Sequence, residues 1–313
     1  MISVIIPTIG RESLGRAVES TLQQEVPGAS VEVVIVNDSG RELTTPGSPP
    51  AGPRLAVITT NRRRQSVARN VGAAAARGQY LLFLDDDDQL MPGALAALFS
   101  VLVEEPDLIV AYGGVTFVDG ARKALGALNL GASGNCASHM LAGALISFGS
   151  ALIRDDVFWA VGAIDPRLTT GEEVDLFRRL AMVGDFGNTQ LVVLQALRGE
   201  GWASSQDYGP AVAILRASRE RVLDQRPAFV RLARSAQEPY WHGRNVKSYL
   251  ASSLWNAKAR RPAKATSRLL CSVCSALLAG AALLDRDFWQ ALCDSQVPAT
   301  TQRALHDAHE AAA

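Results

Sequence analysis

The residues best suited to chemistry are four consecutive aspartates, Asp85–Asp88, which directly follow the apolar run YLLFL at positions 80–84. Carboxylates this close raise one another's pKa values unless a cation neutralises them. Mg²⁺ and Mn²⁺ prefer oxygen ligands and also bridge phosphate groups. The run therefore predicts a divalent-cation site for a phosphate-bearing substrate. An acidic turn in solvent, leading into a helix after Pro92, is the simpler alternative.

The first 115 residues alternate between strand patterns and helix patterns, and these elements must position the aspartates. Strands are predicted at 3–8, 31–38, 55–61, 80–88 and 108–115, with helices at 14–22, at Ser66–Arg77 and after Pro92. This alternation indicates a parallel sheet covered by helices on both faces. In such sheets ligands bind beyond the carboxyl ends of the strands. Thr8, Asp38 and Asp85–Asp88 are therefore expected to converge on one crevice.

The second part of the chain becomes helical. Ala151–Val161 and Glu172–Met182 are predicted as helices and residues 190–197 as a strand, after a poorly periodic stretch at 119–150. Further helices are predicted at 211–225, 227–236, 244–258, 262–284 and 286–293. We therefore divide the chain into an α/β domain, residues 1–209, and a C-terminal helical region, residues 210–313.

Composition excludes several classes of protein. The chain has 313 residues, 48% of them hydrophobic, and equal numbers of basic and acidic residues, 31 each. Net neutrality indicates no overall electrostatic attraction to nucleic acid or to an anionic membrane. The longest apolar run, Leu269–Leu284, is shorter than the roughly 20 residues that span a bilayer, so we expect a buried helix, with Cys271 and Cys274 as core thiols. The start lacks the basic region of a signal peptide, and we expect a cytoplasmic protein.

Four segments resemble, in order and spacing, the family 2 glycosyltransferases, which are inverting enzymes with the GT-A fold. The segments are SVIIPTIGR with LGRAVESTLQQ, VEVVIVNDSG, SVARNVGAAAARGQYLLFLDDDD, and SALIRDDVFWAVGAIDPRL with TGEEVDLFRRL, within residues 2–205. The resemblance implies a Rossmann-like, mostly parallel sheet flanked by helices. The C-terminal helices would then cover the acceptor side or form a homodimer.

The resemblance also implies a role for each matching residue. Binding of the nucleotide-sugar falls to Pro7, Thr8, Arg11, Asp38, Arg69, Asp85 and Asp86. Asp38 would bind the uracil or ribose, and Asp87 together with Asp85 would hold Mg²⁺ or Mn²⁺. Arg69 would steady the diphosphate or the acidic run, and a structural ion pair with an aspartate is the alternative.

The segment TGEEVDLFRRL matches the family pattern Glu-Asp-x-Asp-Leu, with Glu173 at the position of the family's general base. Glu has nearly the same pKa as Asp and can do the same chemistry. Glu172 opens the predicted helix, where an acid also stabilises the helix dipole. The implied reaction is metal-dependent transfer of one sugar, with a UDP-sugar favoured, to an unknown acceptor such as a glycan, natural product or peptide.

The sequence departs from the family pattern in two places that bear on the site. Asn61 is followed by Arg62, Arg63 and Arg64, where the family often has Asn-x-Gly, and these arginines would contact diphosphate or form a solvated face. Glu200 lies in the region where many members have a metal-binding His. A third difference is the absence of a Gln-x-x-Arg-Trp motif, which argues against a processive synthase.

Two other functions stay open from the sequence. A pseudoenzyme that binds nucleotide-sugar without turnover is supported only by the changes at Glu173 and Glu200. A nucleotidyltransferase would share the fold and metal, but its glycine-rich phosphate loop is not found in IPTIGRES after the first strand.

Overall fold

A mixed, mostly parallel β-sheet forms the centre of the protein, whose computed structural model describes residues 1–43, 55–198 and 209–294, with the backbone alone at 209–212. The strands are β1 (Ile2–Thr8), β2 (Val31–Asn37), β3 (Leu55–Thr59), β4 (Tyr80–Phe83), β5 (Gln89–Leu90), β6 (Leu108–Val118), β7 (Ala124–Leu128), β8 (Ala151–Arg154) and β9 (Asp185–Leu197). Their order is β3-β2-β1-β4-β8-β6-β9-β5, and β7 pairs with β6.

Helices connect the strands and then continue alone to the end of the described chain. They are α1 (Leu14–Leu22), α2 (Gln65–Ala75), α3 (Ala94–Glu104), α4 (Ala137–Ala142), α5 (Asp155–Ala160), α6 (Glu172–Ala181), α7 (Gly209–Leu223), α8 (Ala228–Ser235), α9 (Pro239–Lys258), α10 (Pro262–Ala279) and α11 (Arg286–Cys293). Short 3₁₀ turns lie at Phe148–Ser150 and Gly280–Leu284.

The chain reverses direction across the sheet at β1. β1 pairs in parallel with β2 on one side and with β4 on the other, and β2 pairs in parallel with β3. The chain therefore adds β2 and β3 on one side of β1, and then returns past β1 to place β4 on its other side. Such a switch point opens a crevice at the carboxyl ends of the strands, which is where ligands bind in open α/β sheets.

The hydrophobic core lies on both faces of this sheet, because successive side chains of a strand point to opposite faces. Val4 and Ile6 of β1 join one core cluster, whereas Ile5 joins the other. The second cluster also contains Leu223 and Tyr249 from the C-terminal helices. α7 and α9 therefore pack onto the α/β core, and the division at residue 209 stays a prediction.

The sheet contains antiparallel strands that the strand–helix rhythm did not predict. β8 pairs antiparallel with β4 and β6, and β5 pairs antiparallel with β9. The prediction of one helix over Ala151–Val161 is wrong, because its first four residues form β8 and α5 begins only at Asp155. The short apolar run ALIR is compatible with either structure, and pairing with two neighbouring strands decides in favour of a strand.

The prediction of a buried helix over Leu269–Leu284 is also wrong. Leu270, Val273 and Leu277 of α10 are exposed, as is Cys274, and Cys271 is only half-buried. Within the described part of the chain, Pro262–Leu284 is long and apolar enough to cross a membrane, with a mean hydropathy of 1.8, yet only 22% of its apolar window is buried. Its small and polar residues, rather than its large apolar ones, face the protein.

Candidate functional site

A cleft lies beyond the carboxyl ends of β1 and β2, beside the loop that follows β4, and has a volume of about 530 Å³. This volume is typical of a small-molecule site. Its lining consists of Pro7, Thr8, Ile9, Arg11, Asp38, Ser39, Arg41, Arg63, Arg64, Gln65, Ala68 and Asp86. The structure thus brings five of the seven predicted donor-binding residues into one cleft, from the ends of three strands, whereas Arg69 and Asp85 are not part of its lining.

Asp86 ties the end of β1 to the loop after β4. Its carboxylate accepts hydrogen bonds from Thr8 Oγ1 at 2.5 Å and from Arg11 Nη1 at 3.1 Å. The same Arg11 nitrogen lies 2.6 Å from Asp87 Oδ2. Burial raises the pKa of Asp86. The positive charge of the Arg11 guanidinium therefore neutralises part of the negative charge of the acidic run.

Arg69 of α2 is the most deeply placed charge of the site. Its side chain is 2% exposed, its Nη2 donates to Asp85 Oδ1 at 2.6 Å and its Nη1 donates to Glu172 Oε1 at 3.0 Å. The guanidinium also lies over the ring of Phe148, 4.8 Å from its centroid. The structural ion pair is thus present, with a second acid that the sequence did not indicate. Contact with a bound diphosphate stays a prediction.

Glu172 and Glu173 open α6 after Gly171, whose φ of 71° turns the chain into the helix. Glu172 is buried in its pair with Arg69. Burial and the neighbouring charge of Glu172 raise the pKa of Glu173 to about 7, against the opposing effect of Arg69. A general base is most effective when its pKa lies near the working pH. The electrostatics of Glu173 therefore suit the role predicted for it.

Asp38 holds the loop that follows β3. Its carboxylate accepts hydrogen bonds from Thr60 Oγ1 at 2.6 Å, the Arg62 amide at 2.7 Å and the Arg64 amide at 2.8 Å. Burial raises the pKa of Asp38, but these hydrogen bonds outweigh burial and lower it overall. The position of Asp38 in the cleft agrees with contact to a nucleoside, whereas its role as anchor of the loop was not foreseen.

The loop anchored by Asp38 places Arg63 in an uncommon backbone conformation. Arg63 has a φ of 50°, and it lines the cleft. This left-handed region costs a residue with a side chain roughly 1–2 kcal/mol, which explains why glycine is favoured at such positions. The departure from the Asn-x-Gly pattern therefore substitutes an arginine where the backbone favours glycine.

Asp88 points into the protein instead of the cleft. It is 2% exposed, and its Oδ1 accepts a hydrogen bond from the Leu197 amide at 2.9 Å. Burial and the charge of Asp85 raise the pKa of Asp88 to about 7. Asp88 thus fixes the end of β9 beneath the acidic run.

The donors left for a divalent cation are Asp85 and Asp87. Their side chains are 34% and 28% exposed, and each has one oxygen bound by an arginine. In the described ranges, no group of three His, Cys, Asp or Glu side chains could hold a metal ion. Mg²⁺ accepts one or two carboxylates when substrate phosphates and water complete its shell. The residues present therefore fit a cation that binds together with a diphosphate. Glu200 lies outside the described residues.

The sequence of this chain is similar to a family model and to several known proteins. Residues 3–161 match the family model described as "Glycosyl transferase family 2". An uncharacterized glycosyltransferase of Haemophilus influenzae is 30% identical over 112 residues, which are 36% of this chain and 38% of that protein. The poly(ribitol-phosphate) beta-N-acetylglucosaminyltransferase TarP of Staphylococcus aureus is 33% identical over 120 residues, 36% of this chain and 37% of TarP. The matched regions thus span less than two fifths of these relatives.

Solved structures of S. aureus TarS share the fold. TarS 1-349 superposes with a TM-score of 0.55 at 14% identity, covering 86% of this chain and 90% of that one. Its complex with UDP-GlcNAc gives a TM-score of 0.54 over the same shares. At this level of identity the likeness establishes the fold, a mixed and mostly parallel α/β sheet of the GT-A type, as predicted.

Proposed function

This chain belongs to glycosyltransferase family 2, and from that premise we propose that it moves one sugar from a UDP-sugar to an acceptor with inversion of the anomeric carbon. The observation that carries the proposal is the cleft at the switch point, whose lining contains Asp38 from the end of β2 and Asp86 from the acidic run. UDP-GlcNAc is the first donor to test, because TarS was crystallised with it.

The nucleoside and the diphosphate of the donor would contact different residues of the cleft. Asp38 and the loop after β3 would receive the nucleoside, and Thr8 and Arg11 would border it. Asp87 and Asp85 would hold a divalent cation, which neutralises negative charge on the leaving diphosphate when it is bound. Arg69 bonds both Asp85 and Glu172, so the start of α6 lies beside the acidic run, and the sugar of a donor held there would be near α6.

Glu173 would act as the general base. A hydroxyl oxygen of the acceptor forms a bond to the anomeric carbon while the bond from that carbon to the diphosphate breaks. The hydroxyl proton passes to Glu173, and UDP leaves with the bonding electrons. One such in-line displacement inverts the anomeric centre. Arg69, held between Asp85 and Glu172, would keep the acidic run and the start of α6 in a constant relation.

Release of UDP from a panel of UDP-sugars, with and without Mn²⁺, tests the proposal. We expect UDP-GlcNAc, or another UDP-sugar in the panel, to be hydrolysed slowly without an acceptor and faster when a suitable glycan, natural product or peptide is present. A single sugar should be added, because the chain lacks the motif of processive synthases. Absence of UDP release with every donor, from protein that binds UDP, would support the binding-only pseudoenzyme instead.

A further inference from the structure

The helix α10 is amphipathic in the opposite sense to an ordinary surface helix, whose apolar side faces the core. Its buried residues are Ala265, Arg268, Ser272, Ser275 and Ala279. We define its outer face as Leu269, Leu270, Val273, Leu277 and Leu278, all of which are exposed. Leu277 is 72% exposed and Leu270 60% exposed. The large apolar residues therefore lie on the side of α10 that faces away from the described part of the chain.

The inner side of α10 packs on α9 through small and polar residues. Ser272 Oγ donates to the Val246 carbonyl at 3.1 Å, and Ser253 Oγ of α9 donates to the Ala265 carbonyl at 2.8 Å. This kind of packing, with small residues inside and serine hydroxyls bonded across helices, is typical of helices whose outer side contacts lipid. The pair α9–α10 is thus held together without use of the leucines.

The outer face is wider than a contact between two helices. At about 100° per residue, Leu269 and Leu278 lie at opposite edges of an arc that covers half of the circumference. The seam between two helices uses a narrower stripe. An extended apolar surface would cover the whole arc. Residues 295–313 contain only Val297 and Leu305 as large apolar side chains.

The basic residues near the outer face of α10 indicate which kind of apolar surface it contacts. Residues 239–284 contain seven Lys or Arg and no Asp or Glu, in a chain whose net charge is zero. Four of the seven are directed into the protein, since Lys264 and Arg268 pair with Asp224 and both Arg244 and Lys247 donate to the Asp294 carbonyl. Lys258 at the end of α9 and Arg260 and Arg261 of the turn before α10 are all exposed. Basic residues beside an apolar helix face are the signature of helices that lie on anionic membranes.

We propose that the outer face of α10 lies on an anionic lipid bilayer, with its leucines at the boundary of the acyl chains. Lys258, Arg260 and Arg261 contact the phosphate headgroups at one end of the helix. The helix lies on the membrane and does not span it, because its inner side is packed on α9 and Arg268 is paired with Asp224 of the loop after α7. The enzyme would then meet acceptors that are themselves held at a membrane. This inference concerns α10 alone and does not depend on the proposed donor.

Flotation of the full-length chain with vesicles tests the inference. We expect the protein to float with vesicles that contain phosphatidylglycerol and to bind weakly to pure phosphatidylcholine. Leu277→Glu combined with Leu278→Glu should weaken binding at least about tenfold, because two apolar side chains lose their burial. Replacing Lys258, Arg260 and Arg261 by Gln should weaken it by about fivefold for each charge and make the remainder insensitive to salt.

The control is Leu191→Glu, which adds one negative charge, half that of the double variant, at a residue of β9 that is 60% exposed. It should leave vesicle binding unchanged, and all variants should keep the circular dichroism spectrum and UDP binding of the original chain. Absence of vesicle binding would overturn the proposal, as would binding that survives the double substitution. A dimer in light scattering that the double substitution converts to monomers, without vesicle binding, would make the outer face a homodimer interface instead.

Discussion

At the scale of single residues, the adjacent acids Glu172 and Glu173 have different surroundings and therefore different roles. Glu172 is buried against Arg69, whereas Glu173 has a pKa raised to about 7. We expect Glu173→Gln to reduce transfer by about 10²–10⁴ and to leave donor binding intact, because it removes basicity and keeps shape. In the original chain kcat/KM should rise with pH through about 7, since the deprotonated carboxylate is the base. Loss of that rise in Glu173→Gln would be the expected signature in the pH–rate profile.

The control for this prediction is Glu172→Gln. Because it removes one partner of a buried guanidinium, it should lower the free energy of unfolding by about 1–3 kcal/mol. We expect the rise of kcat/KM with pH to survive in this variant but to move to lower pH, because the charge of Glu172 helps to raise the pKa of Glu173. The variant is measured in the same assay below its melting temperature. Equal loss of the pH dependence in both variants would place the base elsewhere.

Arg63 offers a test of backbone strain in the wall of the cleft. Arg63→Gly should raise the free energy of unfolding by about 1 kcal/mol, because glycine adopts a positive φ without steric cost. Arg62→Gly is the control, since Arg62 is absent from the residues of positive φ in the described chain and should gain nothing. Denaturant titration measures both. A higher donor KM in Arg63→Gly, but not in Arg62→Gly, would indicate that the Arg63 side chain also binds the donor. A loss of stability in Arg63→Gly would contradict the inferred backbone strain.

At the scale of elements, Asp88 links the loop after β4 to the end of β9, and its charge opposes folding at neutral pH. Its pKa is raised to about 7 in the folded protein from an ordinary value near 3.8. The stability contributed by its protonated form is therefore complete below about pH 4 and is lost as the pH rises through 7. We expect Asp88→Asn, which keeps an acceptor for the Leu197 amide, to reduce this fall between pH 4 and 7. An unchanged slope in thermal melts across that window would mean that Asp88 is ionised throughout.

Element types were largely predictable from the sequence, and their orientation was less so. β1 and β2 are buried runs rich in β-branched residues, and both were predicted within about two residues. The apolar run of α10 was equally visible, but an apolar composition does not show whether the large side chains of a helix face the core. The position of β8 depends on pairing with β4 and β6, which ALIR alone does not reveal.

At the scale of the whole molecule, topology predicted the convergence of the site but not its internal pairing. Thr8, Asp38 and Asp86 meet because parallel strands end at one edge of the sheet, and this follows from the strand order. The contact of Arg69 with Glu172 joins residues 103 positions apart, and it depends on how α2 and α6 pack around Phe148. No local pattern in the sequence encodes such a distance. The anchoring of the loop after β3 by Asp38 has the same origin.

The proposed function requires that this cleft bind a UDP-sugar together with a divalent cation at the acidic run. Calorimetric titration of UDP into the protein, with and without Mn²⁺, tests it directly. We expect binding that is strengthened by Mn²⁺ and weakened by more than about tenfold in Asp87→Ala, with Asp156→Ala of α5 as the matched control that binds like the original chain. Absence of UDP binding by the folded protein, or equal affinity of both variants in the presence of Mn²⁺, would contradict the account.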